Sequence, residues 1–222
     1  MESLFEHQES LDFLVLSYSL LMNESDRGSV LIGVSMLDEQ LTKLFEAILP
    51  ENTSKKRKKE IFDSRGAFGN LSSKLDIAYV CQLLPADLIN SIHRLRKLRN
   101  DLAHQIAPFT IEENLEAIYE VFSLTRGNLA AGMLHLSEEF VYSYLLEKLL
   151  TAEHPTVQGK KLFDSKDDAI LFLSEDKNIK KKLSEKRIKV MFVIGVSSLA
   201  ALIIYHRDKI IAKHVSEAQV PL

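Results

Sequence analysis

Residues 85–106 constrain the fold most, because their apolar side chains repeat with the period of an α-helix. On a helical projection five of them fall in one stripe about 120° wide. They are Leu88, Ile92, Leu95, Leu98 and Leu102. Such a stripe must be covered by other apolar surfaces, so this stretch predicts an amphipathic helix with one face in a core.

The same periodicity recurs over most of the chain, and there are only 8 Gly and 5 Pro in 222 residues. Helices are predicted over residues 3–22, 29–49, 71–84, 85–106, 110–124 and 128–150. Sequential helices joined by short turns pack as antiparallel neighbours. The predicted fold is therefore all-α, an antiparallel bundle of five to six helices over residues 1–150 with a C-terminal hydrophobic helix. We expect residues 1–150 to fold by themselves.

Beyond this body, residues 151–189 are predicted to be a basic linker and residues 207–222 a short tail. Between them, residues 190–205 contain no charged side chain. One interpretation is a single membrane-spanning helix over residues 190–206, with the body held in the cytoplasm by the basic residues before it. The other is a central core helix of the bundle. Charged residues flank both ends of this apolar segment, which favours the membrane interpretation.

Charge is distributed unevenly between these parts. Residues 1–150 carry 15 basic and 22 acidic side chains, net −7, whereas residues 151–222 carry 13 and 9, net +4. An acidic body argues against a broad, sequence-independent grip on a phosphate backbone. Five consecutive basic residues, 55–59, are predicted to be a solvated loop or helix start, and contact with phosphates is the alternative.

The sequence holds no motif for a cofactor or a metal. It has no Walker loop, no GxGxxG, no HExxH and no CxxC pair, and its seven His are scattered without ligand spacing. The single Cys81 excludes an intramolecular disulfide and is predicted to be a small buried side chain. We therefore expect neither a cofactor nor a metal site.

A polar cluster ends the central helix, formed by Arg99, Asn100, Asp101 and His104. Arg99 lies at an angle inside the apolar stripe, and a guanidinium there must be paired or must line a cleft. Its expected partner is Asp76 or Asp101. In the structural interpretation Arg99 pairs with a carboxylate, while Asn100 and His104 finish the helix.

Two longer segments carry a family resemblance. Residues 62–104, with SRGAFGNLSSKLDIAYVCQLL leading into INSIHRLRKLRNDLAH, resemble the mannitol operon repressor family. Residues 26–45, DRGSVLIGVSMLDEQLTKLF, are similar to the helix that precedes this region in that family. The resemblance implies a regulatory or interaction protein that self-associates as a homodimer. Without a recognition-helix motif, it does not imply contact with DNA.

The polar cluster also resembles the Arg, polar residue, three spacers, His motif of HEPN domains, all-helical modules that include metal-independent ribonucleases. That resemblance implies that His104 moves a proton, Arg99 holds the scissile phosphate and Asn100 orients either group. On an ideal helix Arg96, Asn100 and His104 form one ridge, and Arg99 points about 140° away from His104. Convergence therefore requires a distorted helix end or two copies facing each other in a dimer.

Three functions remain open at this point. The first is a regulatory or interaction protein that self-associates and is tethered to a membrane through residues 190–206, with RNA as a further candidate partner. The second is a metal-independent endoribonuclease acting in stress or defence. The third is a structural helical adaptor.

Overall fold

The computed structural model describes residues 6–103, 109–125, 129–175 and 177–218. Within these ranges the chain is all-helical, as predicted, with no strand beyond one isolated bridge between Glu153 and Lys161. The described residues form nine α-helices, of which seven begin within residues 1–150, where five to six were expected. They are α1 (Gln8–Met22), α2 (Asp26–Ala47), α3 (Lys55–Phe62), α4 (Leu71–Val80), α5 (Ala86–Ala103), α6 (Leu115–Ser123), α7 (Leu129–Thr151), α8 (Lys166–Glu175) and α9 (Lys177–Ala218).

Short polar side chains begin several of these helices by capping free backbone N–H groups. Ser25 Oγ accepts a hydrogen bond from Gly28 N at 3.0 Å at the start of α2. Asn70 Oδ1 does the same for Ser73 N at the start of α4, also at 3.0 Å. Each cap satisfies a donor that no preceding turn can pair, so these local sequence signals set where the helices begin.

The long helix α9 is the centre of the molecule. It packs against α1, α2 and α7, and residues 190–201 are all buried. Ser10 Oγ of α1 donates to the carbonyl oxygen of Ala201 at 3.0 Å, so α1 runs antiparallel to α9. Asp26, at the start of α2, lies 3.9 Å from Lys189, and Gly33 further along α2 faces Val196, so α2 runs parallel to α9.

The region predicted as a linker, residues 151–189, is largely helical and joins the bundle. It contains α8 and the first turns of α9, and α8 packs on both α7 and α9. A loop joins α7 to α8, and it is ordered by backbone bonds such as His154 N to Lys160 O at 2.7 Å. The predicted apolar run at 190–205 is therefore the middle of a longer helix rather than a separate segment.

One helical stretch that the structure describes, Leu183–Lys213, is long and apolar enough to cross a membrane. Its most apolar window has a mean hydropathy of 2.2, and 78% of that window is buried against other helices. A buried core helix of a bundle satisfies the same criteria of length and composition.

The second half of the core surrounds α5, which packs against α2, α4 and α6. The predicted apolar stripe of α5 is confirmed. Leu88, Ile92, Leu95 and Leu102 are at most 2% exposed, and Leu98 is partly buried. Burial of this stripe fixes the rotation of α5 about its axis, so its polar residues face outward.

One local expectation is wrong. Cys81 is exposed rather than buried, because it follows the last residue of α4 at the surface. The next residue, Gln82, has φ of 54°, and Leu83 N bonds back to Ala78 O at 2.9 Å, which closes the helix end. This wide turn carries Cys81 out of the core.

The basic run 55–59 is the first part of α3, a helix with no buried residue and with Ser54 as its N-cap. The glycines after it, Gly66 and Gly69, are needed for close packing of the turn. A Cβ on either would collide with backbone oxygens of residues 60–63. The close approach of the backbone therefore explains why glycine occupies both positions.

Candidate functional site

The outward face of α5 lines an open groove of about 520 Å³. Its lining residues are Asn90, His93, Arg94, Arg96, Lys97, Asn100, Asp101 and Leu124. All but Leu124 belong to α5, where they recur three or four positions apart on the side opposite the buried stripe. Leu124, just after α6, closes one wall.

Positive charge dominates this groove. Arg94 forms an ion pair with Glu120 of α6, which fixes its guanidinium at the rim. Arg96 is half-buried, and its Nε is shielded from solvent without a hydrogen-bond partner among the described residues. Lys97 is exposed, and Asp101 is the carboxylate of the lining. Guanidinium and ammonium groups bind oxygen acceptors, so the groove suits a ligand that brings them.

His93 adds a titratable group. Burial lowers the pKa of His93 below its usual 6.5, Asp76 opposes the shift, and Arg96 adds to it. The Nε2 atom lies 3.6 Å from Asp76 Oδ1. Desolvation outweighs the carboxylate, since Asp76 is largely exposed and therefore screened by water. At neutral pH the ring is therefore uncharged and able to accept a proton.

The structure brings only part of the predicted site together. Asn100 and Arg96 line the same groove, as their spacing of four residues predicted. Arg99 is half-buried but does not line the groove. No carboxylate of the described residues forms an ion pair with Arg99, and the expected partner Asp76 approaches His93 instead. His104 lies outside the described residues.

Sequence reasoning missed His93, Lys97 and Asn90 as groove residues. All three lie on the polar face of an amphipathic helix. Every amphipathic helix has such a face, so this pattern does not mark the residues as a site. It also missed Arg27 of α2, whose Nη2 donates to the carbonyl oxygen of Leu102 at 3.2 Å. This bond caps the last turn of α5 with a cation, which the helix dipole favours.

A second constellation resembles a hydrolase triad in spacing only. Ser10 Oγ lies 2.8 Å from His7 Nδ1, and His7 Nε2 lies 3.1 Å from Asp208 Oδ2. Ser10 is completely buried, and its hydroxyl is engaged with Ala201 of α9. No substrate can reach the Ser10 hydroxyl, so these contacts are structural. They join the start of α1 to α9.

Among the described residues no group of three His, Cys, Asp or Glu side chains is placed to hold a metal ion. Among the described residues, the α5 groove thus combines the most groups that can bind or react. They are cationic side chains, amides and a neutral imidazole. No protein-family model, curated protein or solved structure matches this chain.

Proposed function

We propose that this chain is a helical regulatory protein, similar to the mannitol operon repressor family, that binds RNA through the α5 groove. The observation that carries the proposal is the row of Arg96, Lys97 and Asn100 along one side of the groove, with Arg94 at its rim. Guanidinium and ammonium groups bind phosphate oxygens, and amides bind bases or sugars.

The groove is short, which limits the contact. From Asn90 to Asn100 the helix rises about 15 Å, enough for only a few nucleotides of a single strand. The body is acidic, so contacts outside the groove are disfavoured. With two or three neutralised phosphates, the slope of log K against log salt should be about −2.

Anisotropy of a fluorescent single-stranded RNA, titrated with the full chain, tests this proposal. Replacing Arg96 and Lys97 by Gln should weaken binding by about tenfold or more, since each phosphate contact is lost. Lys43→Gln is the matched control, because Lys43 is an exposed lysine on α2 paired with Glu39. Equal affinities for all three proteins would exclude the groove as the RNA site.

Metal-independent RNA cleavage is a second candidate, favoured by Asn100 opening into a groove that also holds His93. The full chain with EDTA should then release products ending in 2′,3′-cyclic phosphate. His104→Ala, Arg99→Ala and Asn100→Ala should each abolish the cleavage while leaving the circular dichroism spectrum unchanged. Binding without cleavage in the parent protein leaves the regulatory proposal, and neither activity leaves a structural adaptor.

Self-association belongs to both candidates. Because Arg99 does not line its own groove, a homodimer is one way for Arg99 to approach Asn100 of the other copy. Light scattering during gel filtration measures this directly. A monomer that still cleaves RNA would show that the dimer is not required.

We also propose an alternative state, in which residues 190–206 cross a membrane once and the body lies in the cytoplasm. Its support is the length and hydropathy of Leu183–Lys213, and it competes with the buried position of the same helix. Carbonate extraction of membranes distinguishes them, since a spanning helix resists extraction and a protein with α9 in its core is released.

A further inference from the structure

A second surface lies where α1 and α7 flank the first half of α9. We name it the aromatic–basic face. It consists of Val15, Tyr18, Phe140, Tyr144, Lys148 and Lys186. None of these residues lines the α5 groove.

Large apolar side chains of this face are open to solvent. Val15 is 68% exposed, Phe140 53% and Tyr144 46%. The Tyr18 ring joins the two helices, with its centroid 6.0 Å from that of Phe140. Val15 lies three residues before Tyr18 on α1, so it is adjacent on the same side. Exposed apolar and aromatic groups in one patch indicate a surface for binding.

Lysines surround the aromatic rings. Lys186 Nζ lies 4.3 Å from the centroid of the Tyr144 ring, and Lys148 Nζ lies 5.5 Å from it. Lys186 belongs to a strongly basic segment, because residues 177–189 carry seven basic side chains and one acidic one. On α7 the nearby Glu138 is already paired with Arg187 at 3.1 Å.

We propose that the aromatic–basic face docks the folded protein on an anionic lipid bilayer, with α9 still buried in the bundle. Tyrosine and phenylalanine rings partition into the headgroup region, and lysines beside them bind anionic headgroups. This peripheral contact needs no spanning helix and is independent of the RNA proposal.

The charge pattern favours lipid over other partners. In a symmetric dimer the same basic segment would meet its own copy, which like charges oppose. RNA would use the lysines and stack on the rings, but it would leave the aliphatic Val15 in water. A bilayer accommodates both the aliphatic and the aromatic side chains.

Co-sedimentation of the full chain with vesicles tests the proposal at about 0.1 M salt, where surface charges still act at about 10 Å. The probes are pure phosphatidylcholine and the same lipid with about one-third phosphatidylglycerol. We expect binding to the anionic vesicles only, reversed by high salt. Replacing Lys148 and Lys186 of the face, together with Lys181 of the basic segment 177–189, by Gln should weaken it by about fivefold for each lysine.

Lys55, Lys56 and Lys59 replaced by Gln form the control, with the same loss of charge. Lys58 ties α3 to Glu46 near the end of α2, and α2 runs parallel to α9, so α3 lies at the opposite end of the molecule. This control should bind like the parent protein. Phe140→Ser with Tyr144→Ser should weaken binding without changing the helical spectrum, because both side chains are exposed.

Three results would overturn the proposal. One is equal binding to both kinds of vesicle, and another is equal loss in the α3 control. The third is association that survives high salt and carbonate in the lysine variant, since that would mean insertion of α9. If the lysine variant loses RNA affinity while the parent protein ignores vesicles, the face binds RNA instead.

Discussion

At the scale of single residues, Lys74 of α4 shows how a charged side chain is buried where partners satisfy it. Its side chain is 5% exposed, and its Nζ donates to Asp38 Oδ1 at 2.8 Å and to Thr42 Oγ1 at 2.7 Å. These bonds join α4 to α2. They replace the hydrogen bonds to water that the ammonium group loses when it is buried.

Lys74→Met should lower the free energy of unfolding by about 2 kcal/mol, the range for hydrogen bonds to charged groups. The loss is moderated because the Asp38 side chain is 39% exposed and can be hydrated again. Chemical denaturation measures the change. Lys43→Met is the control, and it should change stability by less than about 0.5 kcal/mol because its pair with Glu39 is exposed.

His93 makes stability and the groove depend on pH. Its pKa is lowered on folding, chiefly by burial, so the neutral ring is the form that the fold favours. Its contribution to stability is therefore fully present above its unfolded pKa, near 6.5, and is lost as pH falls through the lower folded value. NMR titration of the ring should give a pKa below 6.5.

Two variants separate the causes of that shift. Arg96→Gln should raise the pKa of His93 because it removes a neighbouring cation, and Asp76→Asn should lower it further. A His93→Gln protein should lose less stability than the parent protein between about pH 7.5 and 5.5. An unshifted pKa of His93, a lower pKa in Arg96→Gln or a higher pKa in Asp76→Asn would contradict this account.

At the scale of helices, small residues let the elements around α9 approach closely. On α1 the buried positions are Ser10, Ser17 and Leu21, so two of the three are small. On α2 a Cβ at Gly33 would lie 2.8 Å from Val196 Cγ1. The long apolar side chains of α1 are in part displaced outward by this arrangement, which explains its weak amphipathic pattern.

Gly195→Ala should destabilise the protein by about 1–3 kcal/mol, the usual cost of overpacking. A Cβ there would lie 2.5 Å from Phe122 Cζ, on the ring of α6, and would also meet Met133 of α7. Gly132→Ala in α7 is the matched control. Nothing lies within 4 Å of its added Cβ, so better helix propensity should stabilise the protein by about 0.5–1 kcal/mol. Thermal melts compare the two, and a stable Gly195→Ala protein would argue against the tight contact of α6 with α9.

At the scale of the whole molecule, α9 provides the surface on which α1, α2 and α7 pack. The sequence predicts that residues 1–150 fold alone. The buried position of α9 predicts instead that these residues need α9 to fold. Without α9 the inner faces of three helices would meet water. The free energy of folding of a domain is small, so such a loss should abolish it.

A chain ending at residue 176 should therefore lack a cooperative unfolding transition and should bind a hydrophobic dye. Phe192→Ala gives a milder test, with an expected loss of about 3–5 kcal/mol, because Phe192 is fully buried in α9. Phe140→Ala, at an exposed phenylalanine, should cost far less. If Phe192→Ala leaves stability unchanged, α9 is not in the core in solution, and the anchored state becomes the better description.

The sequence by itself determined the local structure. The period of the apolar residues placed α1, α2 and α4–α7, Ser25 and Asn70 cap helix starts, and the stripe of α5 predicted which of its residues are buried. These features depend on interactions within a few residues, so they are legible in one stretch of chain.

Only the tertiary structure decided where α9 lies and which polar residues share a groove. A helix that is apolar on all sides gives no sequence pattern that tells which face packs against a neighbour. Its composition suits both a bilayer and the core of a bundle. Likewise, the spacing predicted that Arg96 and Asn100 share one side of α5, but only tertiary packing made that side a groove, with Leu124 as one wall. Such arrangements depend on which distant elements pack together, and residues 150 or more apart, such as Ser10 and Ala201, decide them.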